Sequence, residues 1–450
     1  MEVIDEKSCS VTVSGNENYQ ETKRFCTWRK HTKDLYQQLL HVDLVWESAV
    51  AQPMPFITER KHTATHVILS GTRTGGQEQS YLQLLSATLP RSGEALDTKE
   101  TATCEATGEF GGYGMASQQC GLKIDRRMIH NGDVLCARYM PHNPLLIAST
   151  SSDGNGYIFD WSKISLSKFP NDPPRPRAPL PPNELTEKSS DEERIQFQRR
   201  MRELSAVVSE QDRWDKRTGE GQHVLTLSGI DGASDNLAWN TQEEGVLASG
   251  SLGRVSVWKV GNYSKKDPKT VEPFQQYITE NDDDRITNVN FSWAEPHSFV
   301  SSCTSGGVYF GDVRSANFTE MFTLNSPAMC LSLSHHDSNS LLVGCENGEV
   351  HLYDLRNSSE PVLVEKLHST EVTCLQWCPH SPHLFASGGK DSNVCIYNNT
   401  RKKVLFRHAG HTDNLLDLNW NWQEDCAGQL VSTDSNALMI WRPRDVFFTD

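Results

Sequence analysis

Few residues in this 450-residue chain stand at spacings that do chemistry. His62 and His66 are four apart, the interval that places two metal ligands on one helix face, but the stretch reads as strand and brings no carboxylate or cysteine with it. His335-His336-Asp337 reads as a turn. Cys374 and Cys378 have no second pair and no histidine at zinc spacing, and the twelve cysteines are otherwise scattered singly through apolar runs such as those around Cys330, Cys345 and Cys395. Buried reduced thiols are the expectation, and with them an intracellular setting. No Ser-His-Asp order and no glycine-rich phosphate loop is present. The chain is therefore read as a non-enzyme with no catalytic residue, no metal site and no cofactor.

What does recur is structural. A hydrophobic run ending in an aromatic appears as Tyr-Ile-Phe-Asp at 157–160, Val-Ser-Val-Trp at 255–258, His-Leu-Tyr-Asp at 351–354, Cys-Ile-Tyr-Asn at 395–398 and Met-Ile-Trp-Arg at 439–442. Tyr353, Tyr397 and Trp441 are spaced by 44 residues, the period of WD repeats, each of which forms one four-stranded blade of a β-propeller. The fold class expected is all-β: a seven-bladed WD-repeat propeller carrying an N-terminal helix and one proline-rich and helical insertion. Blades of this kind bury one another and mostly serve as rigid binding discs.

Residues 1–20 are polar and read as disordered. Residues 21–43 read as a helix, because Phe25, Trp28, Leu35, Tyr36, Leu39 and Leu40 recur near helical spacing. Residues 44–55 look like a lone strand that completes the last blade and so closes the ring. Segments 66–71 and 81–89 form the hairpin of the first blade, and six repeats follow at about 130–162, 227–260, 280–315, 324–357, 367–399 and 410–444, within a propeller spanning 44–450. In the last repeat His411, Ser432 or Thr433, Asp434 and Trp441 are expected to form a buried hydrogen-bond relay that fixes the turn. The insertion, 163–222, combines Pro-Pro-Arg-Pro-Arg-Ala-Pro-Leu-Pro-Pro at 173–182 with a charged amphipathic segment carrying Met201, Leu204 and Val208, and reads either as a solvated loop or as a docking arm.

The net charge is −15. That disfavours direct nucleic-acid binding, which needs clustered Lys and Arg, and favours a basic protein partner. No apolar run reaches the length of a membrane span, and the N-terminus lacks a basic-then-apolar leader pattern.

Several strings in order resemble one WD family: Trp28-Arg-Lys-His-Thr32 with Leu35-Tyr36, Leu44-Val-Trp-Glu-Ser48, Gly108-Glu-Phe-Gly-Gly-Tyr-Gly114, His130-Asn-Gly-Asp-Val134, Ala137-Arg-Tyr-Met-Pro-His-Asn-Pro144 and Leu405-Phe406-Arg-His-Ala-Gly-His411. Together they are similar to the retinoblastoma-associated histone-binding proteins, which include the small subunit of chromatin assembly factor. The resemblance runs from about residue 21 to 448 outside the insertion. It implies a histone chaperone and scaffold subunit of assembly, deacetylase, acetyltransferase or methyltransferase complexes. Its partners would be the arginine-rich core histones and its location the nucleus, with the cytoplasm also open.

It also implies two surfaces. In the family, the N-terminal helix and an acidic loop of the last-but-one blade clamp a histone helix; here Phe25, Trp28, Leu35, Tyr36, Leu39, Phe406 and Val446 fall on the matching apolar positions. The acidic loop is replaced by Asn398-Asn-Thr-Arg-Lys-Lys403, which is short and basic and weakens attraction by on the order of 0.2–1 kcal/mol per exposed pair. Apolar burial at about 25 cal/mol per Å² offsets this. Leu35→Asp or Phe406→Asp is expected to abolish the contact while leaving the fold intact. On the narrow face of the ring, Asp133 and Glu371 match the family's acidic contacts to basic tails, whereas Ala233, Val289 and Pro327 stand at comparable positions without a carboxylate. Two other classes fit the repeats. Asp312-Val-Arg314 and Asp354-Leu-Arg356 resemble strand ends by which some propellers dock a cullin-ligase adaptor, and ribosome-assembly scaffolds share a similar N-terminal helix.

Overall fold

The computed structural model describes residues 16–90, 121–163, 223–261, 269–279, 284–315 and 317–448. The string at 108–114 and nearly all of the 163–222 insertion lie outside the described residues, as do residues 1–15 of the N-terminal segment. The described strands form seven sheets, one per blade. Counting blades along the chain, the first is built from Ala51–Glu59, Thr63–Gly71, Tyr81–Pro90 and Gly121–Ile129, and the seventh from Asp417–Trp420, Leu430–Thr433 and Ala437–Pro443 plus one strand from the N-terminus. Blades 2 to 6 begin with the inner strands Val134–Met140, Ala238–Trp239, Ile286–Phe291, Ala328–Leu333 and Val372–Trp377. The all-β, seven-bladed expectation holds.

The N-terminus differs from the sequence reading in two ways. The helix, α1, covers Asn16–Leu35 rather than 21–43, and Tyr36–Asp43 is a strand. This strand, not residues 44–55, closes the ring: it pairs antiparallel with Ala437–Pro443, from Tyr36 opposite Pro443 to Asp43 opposite Ala437. Residues from 51 onward instead supply the inner strand of blade 1. The reason lies in where adjacent leucines must go. Leu39 packs with Trp28, Phe406 and Trp441, while Leu40 packs with Ile68, Leu85 and Ile440 on the other side of the sheet. Neighbouring side chains on opposite faces is the period of a strand, and a helix would have put both leucines in one stripe.

The core is a ring of clusters, each wedged between two neighbouring sheets. Close approach is enforced at points such as Gly388 of blade 6, where a Cβ would stand 1.8 Å from Leu415 Cδ2 at the entry to blade 7. Blade 2 gains a fifth strand: Lys269–Val271, from the blade 3 connection, runs parallel to Leu225–Leu227 and covers its outer edge. Across the channel Arg138 of blade 2 grips Asp417 of blade 7 with two hydrogen bonds of 3.1 and 3.0 Å. Asp417 also accepts the Ala51 backbone N–H at 2.9 Å, so three successive blades are tied at one carboxylate.

The predicted relay is present in blade 7. His411 Nε2 lies 2.7 Å from Ser432 Oγ, which also accepts Trp441 Nε1–H at 2.9 Å, and His411 Nδ1 stands 3.2 Å from Asp434. Asp434 takes further N–H bonds from Thr412 and Ala437. Burial alone would raise its pKa, but the hydrogen bond and charge of His411 and these backbone donors outweigh it and hold the carboxyl at about 2. Blade 6 repeats the arrangement with His368, Ser387 and Asp391, whose pKa is likewise held at about 2 against burial. Its terminal Tyr397 turns away to Glu365 at 3.0 Å.

Candidate functional site

Helix α1 docks against the seam between blades 6 and 7. Trp28, 5% exposed, donates Nε1–H to Tyr36 Oη at 2.8 Å, and Tyr36 donates in turn to His408 Nδ1 at 2.6 Å. His408 stacks on Trp441 at 4.4 Å between ring centres and 5° between planes, and its Nε2 faces Met439 Sδ at 3.2 Å. Burial drives the Tyr36 pKa up and the His408 pKa well below its usual value, so both are neutral and the relay needs no charge. Phe406 meets Tyr36 edge-on at 5.3 Å. Arg24 fixes the helix from its other end by donating to the backbone carbonyls of Asp391 and His411 at 3.0 and 3.1 Å.

The residues expected to form the helix groove therefore divide. Trp28, Tyr36, Leu39 and Phe406 are buried and hold α1 to the disc. Phe406→Asp would open this core, which corrects the expectation that it spares the fold. Phe25 and Leu35 pack only partly against the cluster, and Val446 is 67% exposed. Beside Val446, Phe447 and Phe448 are half-buried, and Phe447 touches Phe406 at 5.1 Å. The Arg444 N–H bonds the Leu35 carbonyl at 3.1 Å, which brings the 3₁₀ turn Asp445–Phe447 alongside the end of α1. The accessible apolar edge is thus Leu35, Val446, Phe447 and Phe448. Sequence reasoning missed the two phenylalanines; the Phe-Phe pair following the last strand was the signal. The basic turn after Val394–Asn398 is tight, with Asn398 Oδ1 accepting the N–H groups of Thr400 and Arg401, and Arg401, Lys402 and Lys403 are all exposed.

On the narrow face, both expected carboxylates are already engaged. Asp133 accepts the N–H groups of Thr74 and Gly75 at 2.7 and 3.0 Å and the Ser80 hydroxyl at 2.8 Å. Burial pushes its pKa up, and these bonds together bring it below the usual carboxylate value. Glu371 is paired with Lys390. Ala233 is exposed, Pro327 half-buried, and Val289 only 2% exposed. The same face holds a chain of charges that the sequence reading did not single out: Glu47 to Arg73 at 3.2 Å, Arg73 to Asp235 at 3.6 Å, and Asp235 to Arg285. Two guanidinium groups neutralise the two carboxylates. This face offers little for a cationic tail.

The remaining chemical candidates resolve as structure. His66 is buried, its pKa lowered by burial to about 4, while His62 is exposed on the preceding turn. Burial raises the Cys374 and Cys378 thiols to about 12 and about 11. Among the described residues no group of three or more His, Cys, Asp or Glu is placed to hold a metal ion. Arg314 and Arg356 each fold back on their own Asp312 and Asp354, at 2.7 and 2.6 Å, as turn-closing pairs. No helix of the described residues is long and apolar enough to cross a membrane.

Comparison with known proteins fits this geometry. Residues 23–91 match the family model described as histone-binding protein RBBP4 or the corresponding CAF1 complex subunit, a span that begins within α1 and takes in the ring-closing strand and the first strands of blade 1. Residues 359–398 match the WD domain, G-beta repeat. The chain is 26% identical over 439 residues to the histone-binding protein MSI1 of Saccharomyces cerevisiae, covering 94% of this chain and 93% of the relative. It is 21% identical over 463 residues to the histone acetyltransferase type B subunit 2 of Candida glabrata, covering 98% of this chain and 93% of that protein. With the closing strand, the docked helix and the relay in place, the chain belongs to the retinoblastoma-associated histone-binding WD-repeat family, as a divergent member.

Proposed function

We propose that this chain binds core histones, and that it acts as a histone chaperone and scaffold subunit of chromatin assembly or chromatin-modifying complexes in the nucleus. It works by binding alone: it covers a basic, aggregation-prone partner and passes it on. One observation carries the reading. The histone-binding family model falls on residues 23–91, and part of that segment, Leu35, combines with Val446, Phe447 and Phe448 into an accessible apolar edge beside a helix that is itself firmly docked. An amphipathic partner helix laid along α1 would bury that edge.

Leu35 is the contact residue of choice, because it packs only partly into the cluster beneath it. The exposed Arg401, Lys402 and Lys403 oppose a basic helix, so affinity should rest on apolar burial more than on charge. The test is titration of the purified chain with the first-helix peptide of an arginine-rich core histone, comparing the native chain with Leu35→Asp. Binding that Leu35→Asp abolishes without change in thermal unfolding supports the proposal. Equal binding by both chains removes the groove, and absence of binding to every core histone removes the function.

A further inference from the structure

Each inner strand starts on the face that carries Asp133 and Glu371 and ends on the opposite face, so the turns that follow the inner strands ring the other mouth of the channel. Two of these turns carry indoles. Trp293 follows the inner strand of blade 4 and Trp422 that of blade 7, and their rings stack at 5.4 Å and 26°. Blades 5 and 6 lie between them in the ring, so this contact bridges the channel mouth. His335 of blade 5 fills the angle, 5.7 Å from Trp293 and 5.0 Å from Trp422. The group is held from beneath: His335 Nε2–H donates to the Pro379 carbonyl at 3.0 Å, and the Gln242 amide donates to the Trp293 carbonyl.

The propeller does not require indoles here. At the equivalent place in the turn, blade 2 carries Pro141, blade 3 Thr241 and blade 6 Pro379. Trp422 nevertheless leaves 40% of its surface exposed, an unusual outlay of aromatic area on a soluble face. The surroundings, from blade 3 round to blade 7, are one-signed. Across the five turns at 240–245, 292–297, 334–339, 378–383 and 421–429 stand Glu243, Glu244, Glu295, Asp337, Glu424 and Asp425, with no lysine or arginine. The basic pair of this rim, Arg60 and Lys61, stands outside that arc on the turn of blade 1. Farther out on this face, Arg314 and Arg356 are neutralised by their own aspartates. The opposite face, by contrast, has its carboxylates matched by Arg73 and Arg285.

We propose that the Trp293–Trp422 platform is a binding site for an arginine side chain of a basic partner peptide. The guanidinium lies flat on the open face of Trp422, and the surrounding carboxylates take its charge. Arginine fits better than lysine because its cation is planar, weakly hydrated and stacks on an indole while its edge still donates to carboxylate. The inference is independent of the helix groove, because it uses none of the groove's residues.

The experiment is calorimetric titration of the full chain with a Gly-Arg-Gly-Arg-Gly-Arg-Gly peptide and with its lysine counterpart, at low and at physiological salt. Saturable binding of the arginine peptide is expected, about tenfold weaker in Trp422→Ala and several-fold weaker for the lysine peptide. Glu424→Gln with Asp425→Asn should weaken it mainly at low salt, and Leu35→Asp should leave it unchanged. Trp422 is exposed, so Trp422→Ala keeps the test free of misfolding, which circular dichroism confirms. No saturable binding, undiminished binding by Trp422→Ala, or equal affinity for the lysine peptide would overturn the proposal.

Discussion

Tyr36 and His408 share a 2.6 Å hydrogen bond that joins the strand closing the ring to the outer strand of blade 6. Tyr36 Oη also accepts the Trp28 indole N–H, so one hydroxyl ties α1, the closing strand and a blade together. Tyr36→Phe keeps the ring and removes only the hydroxyl, leaving a buried indole N–H and a buried imidazole nitrogen unsatisfied. A loss of about 1–3 kcal/mol of unfolding free energy is expected. Denaturant unfolding checks it, with the midpoint falling and the slope unchanged.

Phe406 and Leu35 should separate stability from binding. Phe406→Ala empties a site that is 4% exposed and packed against Tyr36 and Trp441, and should cost about 3–5 kcal/mol. Leu35→Asp lies at the rim and should leave the unfolding midpoint within about 1 kcal/mol of the native chain while removing the histone-helix contact. Thermal unfolding of both variants beside a binding titration distinguishes them.

The basic turn gives a prediction of opposite sign. Lys402→Glu with Lys403→Glu replaces repulsion by attraction toward a basic helix and should tighten binding by about 0.2–1 kcal/mol per charge, more at low salt than at high. Titration at two salt concentrations reads this directly. An unchanged affinity would place the partner helix away from the turn.

Acid should destabilise the fold in two stages. His66 and His130 are held neutral by burial at about 4, below the usual value of 6.5. The unfolded chain therefore binds protons first, and stability falls as pH drops from 6.5 toward 4. Asp391 and Asp434, held at about 2 against a usual 3.8, contribute on the order of 2 kcal/mol each above pH 3.8, lost as pH falls through 2. Thermal unfolding at pH 7, 5 and 3.5 should show a steady decline that begins above the carboxylate range.

The ring was legible because its signal is repeated. The aromatic strand ends at Tyr353, Tyr397 and Trp441 keep one period, and the His411–Asp434 turn chemistry is local. The N-terminal boundary was not legible for an opposite reason: Phe25, Trp28, Leu35, Tyr36, Leu39 and Leu40 satisfy helical spacing as a set, although the last two face different clusters. Only the partner strand, Ala437–Pro443, some four hundred residues away, decides between helix and strand for Tyr36–Asp43. The charge of the narrow face was likewise set by long-range pairs. Asp133 and Glu371 were visible as carboxylates, but their engagement by the Thr74–Ser80 turn and by Lys390, and the Arg73–Asp235–Arg285 chain, follow from which blades become neighbours. Trp293 and Trp422 are 129 residues apart in sequence and meet only because the ring closes.

The measurement that bears most directly on the function is calorimetric titration of the purified chain with the first-helix peptide of an arginine-rich core histone, run in parallel on Leu35→Asp. The account predicts saturable binding to the native chain, little dependence on salt because burial outweighs charge at the edge formed by Leu35, Val446, Phe447 and Phe448, and no detectable binding to the variant. Binding that survives in Leu35→Asp, or no binding of any core histone form by the native chain, would contradict it.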